Sequence, residues 1–222
     1  SYPYNANKNL TGDGVWAYGY NTENQLVTAS KSGTSASFVY DPMQRQSQKT
    51  VGAVKTRYIY SEWQRIADYN GVTGTLQNRY VYRTEMDEPL IQVTSAGVLT
   101  FLHADKMGTV IAVSSAAGAV VNKNPYGQFG ESTTIGGTTF GYTGQRRDAE
   151  LDGLHYYKMR VYSPKIGRFL QPDPVGYAGA SDFNLYSYVG NRSLKFTDPM
   201  GQAAVSFWFL IFLYIAWFLV FV

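Results

Sequence analysis

The chain has 222 residues, enough for one domain with a real core or two small ones. Its net charge of +3 is weak and its Lys and Arg are scattered, which leaves no electrostatic footprint for nucleic acid. The lack of any Cys excludes a disulfide framework, a thiolate nucleophile and thiolate metal sites.

Nineteen Tyr and 22 Gly, with few apolar runs at helical spacing, point to an all-β class. The opening stretch SYPYNANKNLTGDG lacks a basic region followed by an apolar one, so it does not read as a signal peptide. It enters in the middle of a repeating pattern, and the expectation is a fragment or the tail of something longer.

The repeat is built on aromatic-x-aromatic triplets: YGY at 18–20, FVY at 38–40, YIY at 58–60 and YVY at 80–82, with a weaker copy, FLH, at 101–103. Counted at the third position, the steps are 20, 20, 22 and 21 residues. Positions i and i+2 of a strand share a face, so each triplet should set two rings on one side of a sheet. A turn-like segment follows each triplet (NTEN, DPMQ, SEWQ, TEMD, ADKMG), and then a second short run such as QRIADY or VIAV. Strand, turn and strand make a hairpin-sized unit. One hairpin cannot bury its aromatic face alone, so the units are expected to stack into a continuous sheet.

The segments YNTENQLV and YDPMQRQ carry a tyrosine followed by Asn or Asp, and HADKMGTVIAVSSAAGAVVNKNPYGQFGE (103–131) reads as a later repeat. These resemble the YD-repeats of rearrangement-hotspot (Rhs) proteins, of the C components of bacterial toxin complexes, and of the teneurin shell. From 140 to 201 the pieces YTGQ, GLHYYKMRVY, GRFLQPDPVG, NLYSYVGN and DPMG resemble the Rhs-associated core in its order. The resemblance spans residues 15–201. It implies repeats over 1–139 forming part of a spiralling β-sheet shell, a core over 140–201, and a separate tail over 202–222.

The resemblance also implies that the core can act as an aspartyl autoprotease cutting just after the second DPxG. Carried over by motif, the catalytic candidates are Asp173 of DPVG and Asp198 of DPMG, with Arg168 of GRF as charge partner. The bond cut would be Gln202–Ala203. Peptide hydrolysis without a metal needs one carboxylate to activate water and an acid to protonate the leaving nitrogen. Two close carboxyls do not both ionise readily, so one would stay protonated. Which carboxyls pair is open, and Asp182 is a lesser candidate. Taken alone, Asp-Pro-x-Gly is type I turn chemistry, which is the reading for YDPM at 40–43. The chain departs from the family pattern in three places. Twenty-one residues (177–197) separate the two motifs, Gln202 replaces an apolar residue, and Ser163 replaces Asp before GRF.

The other polar residues read as structural. His103 and His155 fall in aromatic repeat segments and read as ring substitutes. Gly118 belongs to a hairpin turn, and QRRD (145–148) is a solvated turn with local ion pairs. No metal-ligand spacing is present, and neither a metal nor a cofactor is expected.

The tail VSFWFLIFLYIAWFLVFV (205–222) contains no charge, Pro or Gly. As a helix it would extend about 27 Å, close to the hydrocarbon thickness of a bilayer. Tyr214 and Ser206 are its polar groups, and Trp208 and Trp217 are candidate interfacial anchors. The expected partner of 205–222 is therefore the lipid bilayer, with Arg192 and Lys195 weakly favouring a cytoplasmic globular part.

Two functions follow from this reading. In the first, a bacterial shell protein, secreted or at the cell surface, releases a membrane-inserting segment by cutting itself. Missing N-terminal repeats or a B-component-like subunit would complete the shell, and an immunity protein would protect the producer. In the second, a non-catalytic membrane-anchored repeat protein serves display or adhesion.

Overall fold

A computed structural model describes residues 2–177, 184–202 and 205–206. Eleven strands, from β1 (Ala17–Tyr20) to β11 (Val120–Lys123), form an antiparallel meander in which each strand pairs with the next in sequence. This is the stack of hairpins that the twenty-residue step implies.

Within it, β3 (Thr34–Tyr40), β5 (Val54–Ser61) and β7 (Leu76–Tyr82) carry the triplets. Phe38, Tyr58 and Tyr80 are buried, while the middle residues Val39, Ile59 and Val81 are exposed on the other face. The third ring of each triplet has a second task. The hydroxyls of Tyr20, Tyr40, Tyr60 and Tyr82 donate to the carbonyls of Leu10, Leu26, Gln46 and Arg65, at 2.7, 2.9, 2.8 and 2.8 Å. The residue after the tyrosine closes the turn. Asn21 Oδ1 accepts from the N–H groups of Glu23 and Gln25, and Asp41 Oδ1 from those of Met43 and Arg45. Tyrosine pins a preceding carbonyl and Asp or Asn fixes the next turn, which is the physical content of the repeat's dipeptide.

The FLH copy does not follow the rule. In β9 (Leu99–Ala104) the middle residue Leu102 is buried and His103 is exposed, so this triplet faces the opposite way from the others. A strand's side chains alternate, and a shift of one position exchanges its faces.

A smaller sheet of β12 (Arg146–Asp148), β13 (Leu154–Tyr157), β14 (Arg160–Ser163) and β15 (Arg168–Phe169) follows. Every residue of β13 and β14 is buried. The two sheets share a core: Leu10, Trp16, Leu26 and Phe38 pack with Leu151, Leu154, Val161 and Leu170. A second cluster gathers Tyr142, Tyr157, Tyr162, Phe169 and Tyr188, with Tyr162 and Tyr188 centred 5.0 Å apart. Such ring pairs contribute about 0.5–1.5 kcal/mol each beyond burial.

The C-terminal helix expected to begin at 205 requires correction at its start. Val205–Ser206 form a strand, β17, paired with β16 (Phe196–Thr197) in the register Phe196↔Ser206 and Thr197↔Val205. The turn at 198–201 sends the chain back along β16, and this extended pairing replaces a helical first turn. Residues 207–222, with Trp208, Tyr214 and Trp217, lie outside the described residues. Among the described residues no helix is long and apolar enough to cross a membrane.

Candidate active site

The tight turn Lys158–Met159 joins β13 to β14 and places Arg160 at the start of β14. Its guanidinium carbon lies over the Phe169 ring, 3.7 Å from the centroid, and the residue is 2% exposed. Arg160 Nη2 stands 2.8 Å from Asp173 Oδ2 and 3.0 Å from Asp198 Oδ2. Nη1 donates to the Leu185 carbonyl at 3.1 Å, and Nε donates to the Gly201 carbonyl. Burial pulls the Arg160 pKa down, and the carboxylates of Asp173 and Asp198 oppose that pull.

Each aspartate divides its two oxygens between a turn and the arginine. Asp173 Oδ1 accepts the Val175 N–H at 3.0 Å, and Asp198 Oδ1 accepts the Gln202 N–H at 2.9 Å. Both Oδ2 atoms reach Arg160. The turn reading of DPxG and the site reading are thus one arrangement. The second turn is also seated on the β13–β14 turn, where the Met159 N–H donates to the Met200 carbonyl at 3.2 Å. Gly201 has φ +69°, and a Cβ there would fall 2.6 Å from the Tyr157 carbonyl oxygen.

The structure brings Asp173 and Asp198 to one cation, Arg160. Arg168 is not the shared partner: it sits in β15, bridged to Ser187, and forms no ion pair among the described residues. Arg168 opens β15 five positions before Asp173, and the guanidinium that reaches Asp173 comes from β14 instead. Arg160 stands in MRVY with no spacing signal toward either motif. Its one legible cue is a cation in the aromatic-rich run HYYKMRVY. Gln202 lies at the site, while Ala203 and Asp182 fall outside the described residues.

Lys158, beside Arg160, is buried and bonded to Asp87 and to Gln145 Oε1 at 2.8 Å. Burial lowers the Lys158 pKa and raises that of Asp87. The histidines are elsewhere. His155 is fully buried and its Nε2 accepts the Tyr142 N–H at 3.2 Å, and His103 Nε2 lies 2.8 Å from Ser114 Oγ. Burial, helped by the Arg147 charge, pushes the His155 pKa down to about 3, so the ring is neutral at ordinary pH. Among the described residues no three acidic, His or Cys side chains cluster as metal ligands.

Residues 1–194 match the family model described as "Teneurin YD-shell", a match that ends just before DPMG. The chain is 30% identical over 214 residues to the tRNA3(Ser)-specific nuclease WapA of Bacillus spizizenii, covering 91% of this chain and 9% of that protein. It is also 30% identical over 201 residues to a probable deoxyribonuclease, RhsB, of Dickeya dadantii, covering 85% of this chain and 14% of the relative. The Tc holotoxin pore of Photorhabdus luminescens shares the fold with a TM-score of 0.71 at 19% identity, over 91% of this chain and 11% of that one. The chain thus spans a small fraction of the length of the proteins it matches. A meander of tyrosine-pinned hairpins closed by an ordered core, matched by the family model over residues 1–194, makes this chain a member of the Teneurin YD-shell family, within the Rhs/YD-repeat proteins.

Proposed function

We propose that the chain is the closing segment of a larger YD shell and that its core cuts its own backbone once, after Gln202. The observation that carries this reading is the sharing of one buried guanidinium by Asp173 and Asp198 beside the Gly201–Gln202 peptide. That peptide is clamped, with its carbonyl on Arg160 and its N–H on Asp198. An amide whose N–H donates to a carboxylate is held in its ground state, so it serves as the anchor. The bond beyond the clamp, Gln202–Ala203, is the one to be cut.

In the proposed step a carboxylate takes a proton from water, and hydroxide adds to the Gln202 carbonyl carbon. The Arg160 cation stabilises the oxyanion, the C–N bond breaks, and the proton passes to the Ala203 nitrogen. The products are a chain ending in a Gln202 carboxylate and a tail beginning with the Ala203 amine. Asp173 is the better candidate for the base, because its side chain is 20% exposed and Asp198 only 3%.

The released apolar stretch 205–222 is proposed to enter a bilayer, with the rest of the shell supplied by missing repeats or a partner subunit. An immunity protein would then guard the producing cell. Intact mass spectrometry of the purified chain tests the cut. A fragment ending at Gln202 is expected, and it should vanish in Asp198→Asn and Asp173→Asn. A wild-type chain that stays full length would sink the proposal and leave the membrane-anchored display protein, without chemistry, as the reading of the same fold.

A further inference from the structure

A second set of buried charges surrounds a cavity of about 20 Å³ lined by Tyr60, Arg65, Tyr82, Asp87, Arg146 and Lys158, among others. Arg65 lies against Tyr80 and Phe140, its guanidinium carbon 4.6 Å from each ring centroid, with the two rings edge to face. Arg146 likewise lies against Tyr58 and Tyr156, at 4.4 and 4.7 Å. Ring faces compensate a guanidinium only above and below its plane, and the N–H groups point outward within that plane.

Those in-plane donors are only partly used. Arg65 reaches Asp68 Oδ2 at 3.4 Å and Thr139 Oγ1, and Arg146 Nη2 reaches Gln46 Oε1 and Asp148 Oδ2. Arg65 Nε, Arg146 Nε and Arg146 Nη1 are buried without a protein acceptor. Asp68 Oδ1 is also unpartnered, but Asp68 does not line the cavity. A buried donor left unmade costs about 1–3 kcal/mol, and more on a charged group, so three on two adjacent cations call for an acceptor.

The charges argue for an anionic one. Asp68 pairs with Arg65 and Asp87 with Lys158, whereas Asp148 is divided between Arg146 and Lys49. Glu150 also reaches Lys49, but its side chain is 51% exposed and solvent screens it. One buried cation therefore lacks a full counter-charge. A cavity of this size admits one water or one monatomic ion and no tetrahedral oxyanion.

We propose that the cavity binds a single halide-sized anion, with chloride as the physiological occupant, on the unpartnered N–H groups of Arg65 and Arg146. The site does not depend on the self-cleavage reading. Two measurements on the full chain test it. In crystals grown with bromide, an anomalous peak is expected within hydrogen-bond reach of Arg146 and Arg65. In solution, replacing gluconate by chloride at constant ionic strength should raise the unfolding temperature saturably, by about 3–5 °C at ten times the dissociation constant. Arg146→Lys keeps the charge but removes two of the three donors, and should abolish the saturable part while far-UV circular dichroism stays native. Superimposed chloride and gluconate curves, a water with no anomalous signal in the cavity, or bromide found only at the surface would each overturn the proposal. The bromide experiment uses wild-type protein and stands whether or not the variant folds.

Discussion

The two DPxG glycines offer a matched pair of perturbations. Gly176 and Gly201 have nearly the same backbone angle, φ +68° and +69°. A Cβ at Gly176 meets nothing within 4 Å, whereas at Gly201 it meets the Tyr157 carbonyl oxygen at 2.6 Å and the Arg160 nitrogen at 3.2 Å. Gly176→Ala therefore carries only the left-handed penalty, about 1 kcal/mol. Gly201→Ala carries the same penalty plus an overlap with backbone that has no rotamer to change, another ~2 kcal/mol. For a chain of this size these costs lower the melting temperature by about 2–4 °C and about 6–12 °C respectively. Differential scanning calorimetry reads both. Displacing Gly201 also pulls its carbonyl from Arg160 Nε, so self-cleavage should be lost in Gly201→Ala and kept in Gly176→Ala. Equal melting shifts for the two variants would refute the seating of the second motif on the β13–β14 turn.

Three further outcomes follow from the same geometry. His155 titrates near 3 when folded and near 6.5 when unfolded, so the unfolded state binds the extra proton. Stability should fall as pH drops below about 6.5, by at most ~1.4 kcal/mol per unit from this group, and His155→Gln should flatten urea midpoints measured between pH 6.5 and 4. Tyr82→Phe leaves the Arg65 carbonyl without its hydroxyl donor and should cost about 1 kcal/mol in urea unfolding, with the denaturant slope unchanged. A chain ending at Ser206 should leave the alkaline-washed membrane fraction that retains the full-length chain, and equal retention of both would discount 207–222 as the membrane element.

The sheet was legible because its information is local and repeated. Each ring pair, each turn-closing Asn or Asp and each step of about twenty residues lies within one hairpin, so the pattern announces itself before any tertiary contact is known. Phe101–Leu102–His103 shows where that ends, since a residue-type match does not say which face a strand turns inward. The two acids were legible in the sequence and the cation that joins them was not. Asp173 and Asp198 stand in a turn motif visible as a word, while Arg160 is identified only by folding. It reaches them across 13 and 38 residues of chain, from the start of β14. Arg146 is a further case: QRRD reads as a solvated turn, yet Arg146 is 5% exposed because Tyr58 and Tyr156, from separate parts of the chain, close over it.

The division of labour inside each DPxG explains why its sequence supports two readings. A turn needs one carboxylate oxygen and leaves the other with a fixed direction, so every such turn is half of an ion-pair site. Whether it becomes one depends on what the fold brings opposite. YDPM at 40–43 meets Arg45 four residues on, and its second oxygen is spent within its own hairpin at 2.7 Å. Asp173 and Asp198 both turn to the same arginine buried in the core. The second of them also holds the backbone at the start of the tail, through the Gln202 N–H. Loss of the Arg160 charge would therefore release the first turn, the second turn and the anchor of the tail together. The hairpin turns closed by Asn21 and Asp41, each within its own hairpin, have no comparable coupling.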